Sequence, residues 1–178
     1  MATLRSRAAE DLALRMLARG ARNKLVQCHT QLSAYVVREI RNSEFSGSQA
    51  KSGPLPQIAE NGSTSLVRQM YRSLFAVLYR RVGGGETYTE INIEHVIDTY
   101  DIYLELAEPP VVVTFDEAWV IARELRGRRM ELVRCAVCAV DYLSGDSSQT
   151  TNLCPYCCCY ERKPTIRLSN RSRRGMPQ

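Results

Sequence analysis

Apolar residues recur along this chain mostly at three- and four-residue intervals, the period of an amphipathic helix. Ala9, Leu12, Ala13, Met16 and Leu17 make the first stripe and predict a helix to about Arg19, where Gly20 permits a stop or a kink. A shorter helical piece follows over 21–27. His29-Thr30-Gln31-Leu32-Ser33 interrupts the pattern, and Val36, Val37 and Ile40 then share the inner face of another helix. Ser33 suits its N-cap, and Leu32 can staple onto Val37. Helix, tight turn and helix in this order resemble a helix–turn–helix. Tyr35, Arg38 and Asn42 line the outside of the second helix, with Arg41 alongside.

Residues 45–62 are rich in Ser, Gly, Pro, Gln and Asn around Gly53-Pro54-Leu55-Pro56. This is a linker or an extended arm that can dock on a neighbour through Leu55 and Ile58. The helical period returns with Leu66, Val67, Met70, Tyr71, Leu74, Phe75, Val77 and Leu78, and Gly83-Gly84-Gly85 ends it. The glycines follow no strand and lack the Lys-Ser/Thr of a phosphate loop, so they predict a flexible helix–helix connection. The next helix turns Ile93, Val96, Ile97, Tyr100 and Leu104 inward, with Asn92 or Thr89 as its cap and Pro109-Pro110 as its close. Glu94, Asp98, Asp101 and Glu105 on its polar face read as solvated carboxylates, and His95 as an ordinary surface or core histidine. Val111-Val112-Val113 reads as a short isolated strand. Thr114 and Glu117 then form a capping box for a helix that buries Ala118, Trp119, Ala122 and Leu125 and ends near Gly127. The fold class is mainly α.

The strongest chemical signal follows at once. Cys135-Ala-Val-Cys138 and Cys154-Pro-Tyr-Cys157 are separated by fifteen residues, a spacing that lets two tight turns bring four thiolates around one ion. The expected occupant is one structural Zn²⁺ held by Cys135, Cys138, Cys154 and Cys157, with no open position for chemistry. Iron–sulfur spacings differ from this one, and neither pair lies in the βαβ setting of a redox dithiol. Cys158 and Cys159 follow directly, and either can replace Cys157 as the fourth ligand.

Charge changes the picture at the ends. Residues 1–41 carry eight Lys/Arg against three Asp/Glu, and 161–178 six against one, which leaves ten against fifteen between them. Basic ends predict a polyanion partner, bound through Lys24, Tyr35, Arg38 and Arg41 at one end and Arg162, Lys163 and Arg167 at the other. A solvated basic face and tail fit the same composition. There is no apolar run of membrane-spanning length and no secretory leader pattern, and six of seven cysteines crowd into the last quarter. A soluble, cytoplasmic chain is expected, with 1–50 as the helix–turn–helix-like region, 51–130 as a helical body for partner assembly and 131–178 as a zinc module with a basic tail. No nucleophile and base are paired, so an enzyme is not expected.

Several short stretches in this order also resemble one family. They are Gly20-Ala-Arg22, Thr30-Gln-Leu-Ser33, Gly53-Pro-Leu-Pro56, Tyr100-Asp-Ile-Tyr-Leu-Glu105, Ala118-Trp119 with Arg123, and the two cysteine pairs. Together they are similar to the flagellar transcriptional activator family FlhC over nearly the whole chain. The resemblance implies an all-α activator subunit with a four-cysteine zinc site, acting in a hetero-oligomer with an FlhD-like partner to bind promoter DNA and recruit RNA polymerase. The other reading of the same residues is a zinc-stabilised protein–protein adaptor that makes no direct DNA contact. The N-terminal residues, the second helix of the turn, the Gly83–Glu90 connection and Cys158-Cys159 depart from the family pattern.

Overall fold

The first helix, α1 (Ala2–Ala18), ends where the sequence places its glycine. Gly20 adopts φ +77°, its N–H bonds to Leu17 O at 2.9 Å, and Ala21 N–H bonds to Met16 O at 3.1 Å. That paired closure satisfies two carbonyls left over at the helix end and turns the chain sharply. The computed structural model describes residues 2–46, 53–58, 65–107, 113–145 and 154–161, with side chains from Arg7 to Tyr160 among them. Pro109-Pro110, Val111-Val112, Arg162, Lys163 and Arg167 lie outside the described residues.

Beyond the turn, α2 (Asn23–Thr30) and α3 (Ala34–Glu44) are joined by three residues. Gln31 closes α2 in the left-handed region, and the Ser33 hydroxyl caps α3 by accepting from Val36 N–H at 3.3 Å. This is the predicted helix, turn and helix. The inner face of α3 differs in one respect: Arg41 faces inward and is 6% exposed. Its guanidinium donates to Asn23 Oδ1 at 2.7 Å and to Ala21 O, which the turn after α1 leaves free. The expectation that Arg41 lies on the outer face beside Arg38 is therefore corrected. The arm at 53–58 docks on the chain's own body: Arg22 Nη1 donates to Gly53 O at 2.8 Å and to Pro54 O, and Ile58 packs against the core.

α4 (Leu66–Gly83) is capped by Ser65 and runs into a 3₁₀ turn over Gly84–Tyr88, so the glycines begin a regular turn. Its buried side chains are Arg72, Ser73, Phe75, Ala76 and Tyr79, whereas Val67 is exposed. α5 (Ile93–Leu106) is capped by Asn92, whose Oδ1 accepts from Glu94 N–H at 3.0 Å. Tyr103 takes the inward place expected of Leu104, its ring edge-on to Phe75 with centroids 5.9 Å apart, and Leu104 is 45% exposed. The carboxylates of α5 do more than meet water. Glu94 pairs with Arg15, Asp98 lies 3.6 Å from Arg15, and Asp101 pairs with Arg19, which ties α5 to α1 through side chains. Val113 forms no strand: its carbonyl accepts from Tyr100 Oη, and its N–H donates to Tyr103 Oη.

α6 (Phe115–Arg126) opens with the predicted capping box and occupies the centre. Nine of its twelve residues are buried, three of them carboxylates, so each charge requires a partner in place. Asp116 receives Arg22 Nε and the Arg22 backbone N–H, both at 3.0 Å. Glu117 receives Arg68 at 2.8 Å and Arg72 at 2.9 Å, and these donors hold its pKa below the ordinary carboxylate value although burial pushes the other way. Glu124 is held by Arg129 and Arg123. On the partly buried side, Trp119 Nε1 donates to His29 Nε2 at 2.7 Å, and the Arg123 guanidinium lies 5.5 Å from the indole centroid. One apolar cluster draws on α1 through α6, so the helices share a single core.

After α6 the sequence pattern shows only two alternating apolar residues, Met130 and Leu132, and the hairpin here is not foreseen. β1 (Met130–Arg134) pairs antiparallel with β2 (Asp141–Gly145), Leu132 opposite Leu143. Both leucines pack against the core from its edge. α7 (Pro155–Glu161) is the last described element.

Two outcomes follow for stability. Glu117→Ala leaves Arg72 buried without its carboxylate and should cost about 3–5 kcal/mol in urea unfolding, whereas Arg15→Ala at a half-exposed pair should cost less than about 1 kcal/mol. Burial lowers the His29 pKa, so below the ordinary histidine value the unfolded chain takes up a proton that the folded site refuses. Stability should therefore fall between pH 7.5 and 5.5, and urea midpoints at the two values should differ less in His29→Gln. Protonation of Glu117 and Glu124, both held low, lies below this window.

Candidate metal centre

The hairpin brings the first cysteine pair to its tip. Cys135 N–H bonds to Val140 O and Ala139 N–H to Cys135 O, both at 3.0 Å, and Ala139 takes φ +56° to close the loop. The second pair begins a helix. Cys154 immediately precedes α7, and Cys158 N–H bonds to its carbonyl at 3.0 Å. Pro155 occupies the first helical position, where its missing N–H costs nothing. Pro155 therefore starts a helix and does not merely tighten a turn.

These two local structures bring the Sγ atoms of Cys135, Cys138, Cys154 and Cys157 within 4.8 Å of one another. Cys135 and Cys157 are 3.9 Å apart and Cys138 and Cys154 3.5 Å. A zinc tetrahedron with bonds near 2.3 Å has sulfur–sulfur edges of about 3.8 Å, whereas a disulfide needs about 2.05 Å. All four are free thiols at ligand spacing, and the group can hold a metal ion. Cys158 and Cys159 continue round α7 and are not members of the four-sulfur group.

The electrostatics ask for a cation. Backbone N–H groups of Cys138 and Val137 pull the Cys135 thiol down to about 6, which makes it the readiest thiolate. Burial raises Cys154, and the neighbouring Cys138 thiol together with burial raises Cys157. One thiolate forms easily and its neighbours then keep their protons, because like charges this close repel. Four thiolates share such a space once a positive ion lies between them. The N–H groups of Val137 and Cys157 point at Cys135 Sγ and Cys154 Sγ, each at 3.4 Å, and would soften the charge that remains.

The module is anchored to α4. Leu143 N–H donates to Ser73 Oγ at 3.0 Å, Arg80 pairs with Asp141, and Tyr156 Oη donates to Met70 O at 3.3 Å. Burial pushes the Tyr156 hydroxyl up to about 12, so it stays a donor at any ordinary pH. Nothing in the sequence pattern marks Ser73, Arg80, Asp141 or Leu143 as anchors, and Met70 reads only as part of an apolar stripe; Tyr156, enclosed between two cysteines, carries a usable signal. Of the residues predicted to meet a polyanion, Lys24, Tyr35 and Arg38 are exposed on α2 and α3. Arg38 Nε folds back onto Ala34 O at 3.1 Å. Arg41 is internal.

The fold and the site together define a mainly helical protein with a small four-cysteine module near its C-terminal end. The chain belongs to the FlhC family: the family model described as flagellar transcriptional activator (FlhC) matches residues 3–172. Two relatives named flagellar transcriptional regulator FlhC are each 26% identical to it. The protein of Nitrosomonas eutropha aligns over 152 residues, 83% of this chain and 77% of the relative. That of Proteus mirabilis aligns over 173 residues, 93% of this chain and 84% of the relative. Among the described residues no helix is long and apolar enough to cross a membrane.

The four-sulfur geometry distinguishes the cysteines of α7. Cys157→Ser should lower the metal retained per chain at least tenfold under mild chelation, and Cys159→Ser should leave it unchanged, as read by elemental analysis after gel filtration.

Proposed function

We propose that the chain is the DNA-contacting subunit of a transcription activator for flagellar or related genes. It works in a hetero-oligomer with an FlhD-like partner, binds promoter DNA and engages RNA polymerase. The observation that carries this reading is the FlhC family match across 3–172, and the exposure of Lys24, Tyr35 and Arg38 on α2 and α3 is in keeping with it. Lys24, Tyr35 and Arg38 would approach the duplex, Arg38 from the helix after the turn, where arginine can reach base edges or phosphates. Arg162, Lys163 and Arg167 would add phosphate contacts beyond α7.

Zn²⁺ suits the four-sulfur site best, because soft thiolates in a tetrahedral shell are its usual structural ligands. Bound there it would supply no reaction, since the protein fills every position. Cys135 and Cys138 would hold it from the hairpin, Cys154 and Cys157 from α7, and the ion would keep the two elements together where few apolar side chains do so.

A protein adaptor without DNA contact has one feature in its favour, the exposed Ile102, Leu104 and Leu106 on α5. Salt dependence separates the two readings. Promoter binding by the assembled complex should weaken steeply with salt, and Arg38→Ala should reduce the slope of log K against log salt by about 1. Lys24→Ala should act in the same direction. Unchanged binding in both variants, or no binding by a complete complex, supports the adaptor.

A further inference from the structure

Among the sulfur contacts of the four-cysteine group, two short ones run between the halves of the module. Cys138 Sγ faces Cys154 Sγ at 3.5 Å and Cys135 Sγ faces Cys157 Sγ at 3.9 Å, so each contact joins the β1–β2 loop to α7. We infer that the module is a site of oxidative modification, at which a hydroperoxide converts the Cys138–Cys154 contact into a disulfide and releases the bound metal. The inference rests on the reading of the four thiols as one metal site.

The chemistry is balanced by the oxidant alone. A thiolate attacks the peroxide, the O–O bond breaks as an S–O bond forms, and hydroxide leaves to take up a proton. The facing thiol then attacks that sulfur, the S–S bond forms, the S–O bond breaks and a second water leaves. Two thiols and one hydroperoxide give one disulfide and two waters when the peroxide is hydrogen peroxide, with two electrons passing from sulfur to oxygen. The remaining Cys135 and Cys157 supply two donors, half of a tetrahedral shell, and the ion leaves. The hairpin and α7 stay joined, now by a covalent bond. Metal and disulfide are alternative clasps across the same gap.

The pairing makes the inference specific. Cys28, Cys158 and Cys159 take no part, so the wild type and a Cys28→Ser/Cys158→Ser/Cys159→Ser variant should respond alike. The 178-residue chain, purified under reducing conditions and loaded with Zn²⁺, is treated with one equivalent of hydrogen peroxide. Released metal is read with a chromogenic chelator, thiols are counted, and bridged peptides are mapped by mass spectrometry. The expected result is one metal released and two thiols lost per chain, a Cys138–Cys154 linked peptide as the main product, and recovery of zinc binding after dithiothreitol. Retained metal, release without a disulfide, or bridges mainly within Cys135/Cys138 or Cys154/Cys157 would overturn it. If the triple variant fails to fold, the map on wild type decides alone. A reduced chain that takes up no metal would contradict the metal reading, while the peptide map would still test the pairing.

Discussion

The body of this protein depends on the need to pair the carboxylates of α6. A helix buried over nine of twelve residues can carry the carboxylates Asp116, Glu117 and Glu124 only where hydrogen-bonding cations meet them. The partners come from separate parts of the chain: Arg22 from the corner after α1, Arg68 and Arg72 from α4, and Arg129 from the turn leading to β1. Meeting these pairs fixes where α1, α4 and the hairpin lie around α6. Dispersion and burial then fill the remaining space with Phe75, Tyr79, Tyr103 and Phe115.

From that centre the rest follows in steps. α4 is placed by Glu117 through Arg68 and Arg72, and it carries the residues that receive the cysteine module, Met70 between those two arginines and Ser73 and Arg80 beyond them. The module itself has little apolar surface of its own. Its hairpin packs Leu132 and Leu143 at the core's edge, while Val137, Val140 and Tyr160 are exposed. Four sulfurs at ligand spacing lie at this end, whereas the body has its aromatic cluster.

Much of this was legible in order along the chain. Local rules place Gly20, Ser33 and the Thr114–Glu117 box correctly and narrow the cap of α5 to Asn92 or Thr89, because a cap is decided by a few neighbouring residues. The short hairpin was not legible: five-residue strands with two inward apolar positions carry too weak a period, and their pairing depends on α4 beneath them. Burial of charge was invisible for the same reason. Arg41, Arg72 and Glu117 look like surface residues until distant partners are known, and Arg41 was misplaced because its acceptor is a backbone carbonyl freed twenty residues earlier. The cysteine spacing shows which residue types can meet, and the choice of Cys157 over its neighbours needed α7.

We propose that the four cysteines close one zinc ion between the hairpin and α7. X-ray absorption at the zinc edge on the purified, reduced chain tests it most directly. The expected spectrum has a single shell of four sulfur neighbours at about 2.3 Å with no oxygen or nitrogen. A shell with water or histidine neighbours, or a chain that binds no zinc while fully folded, would contradict it.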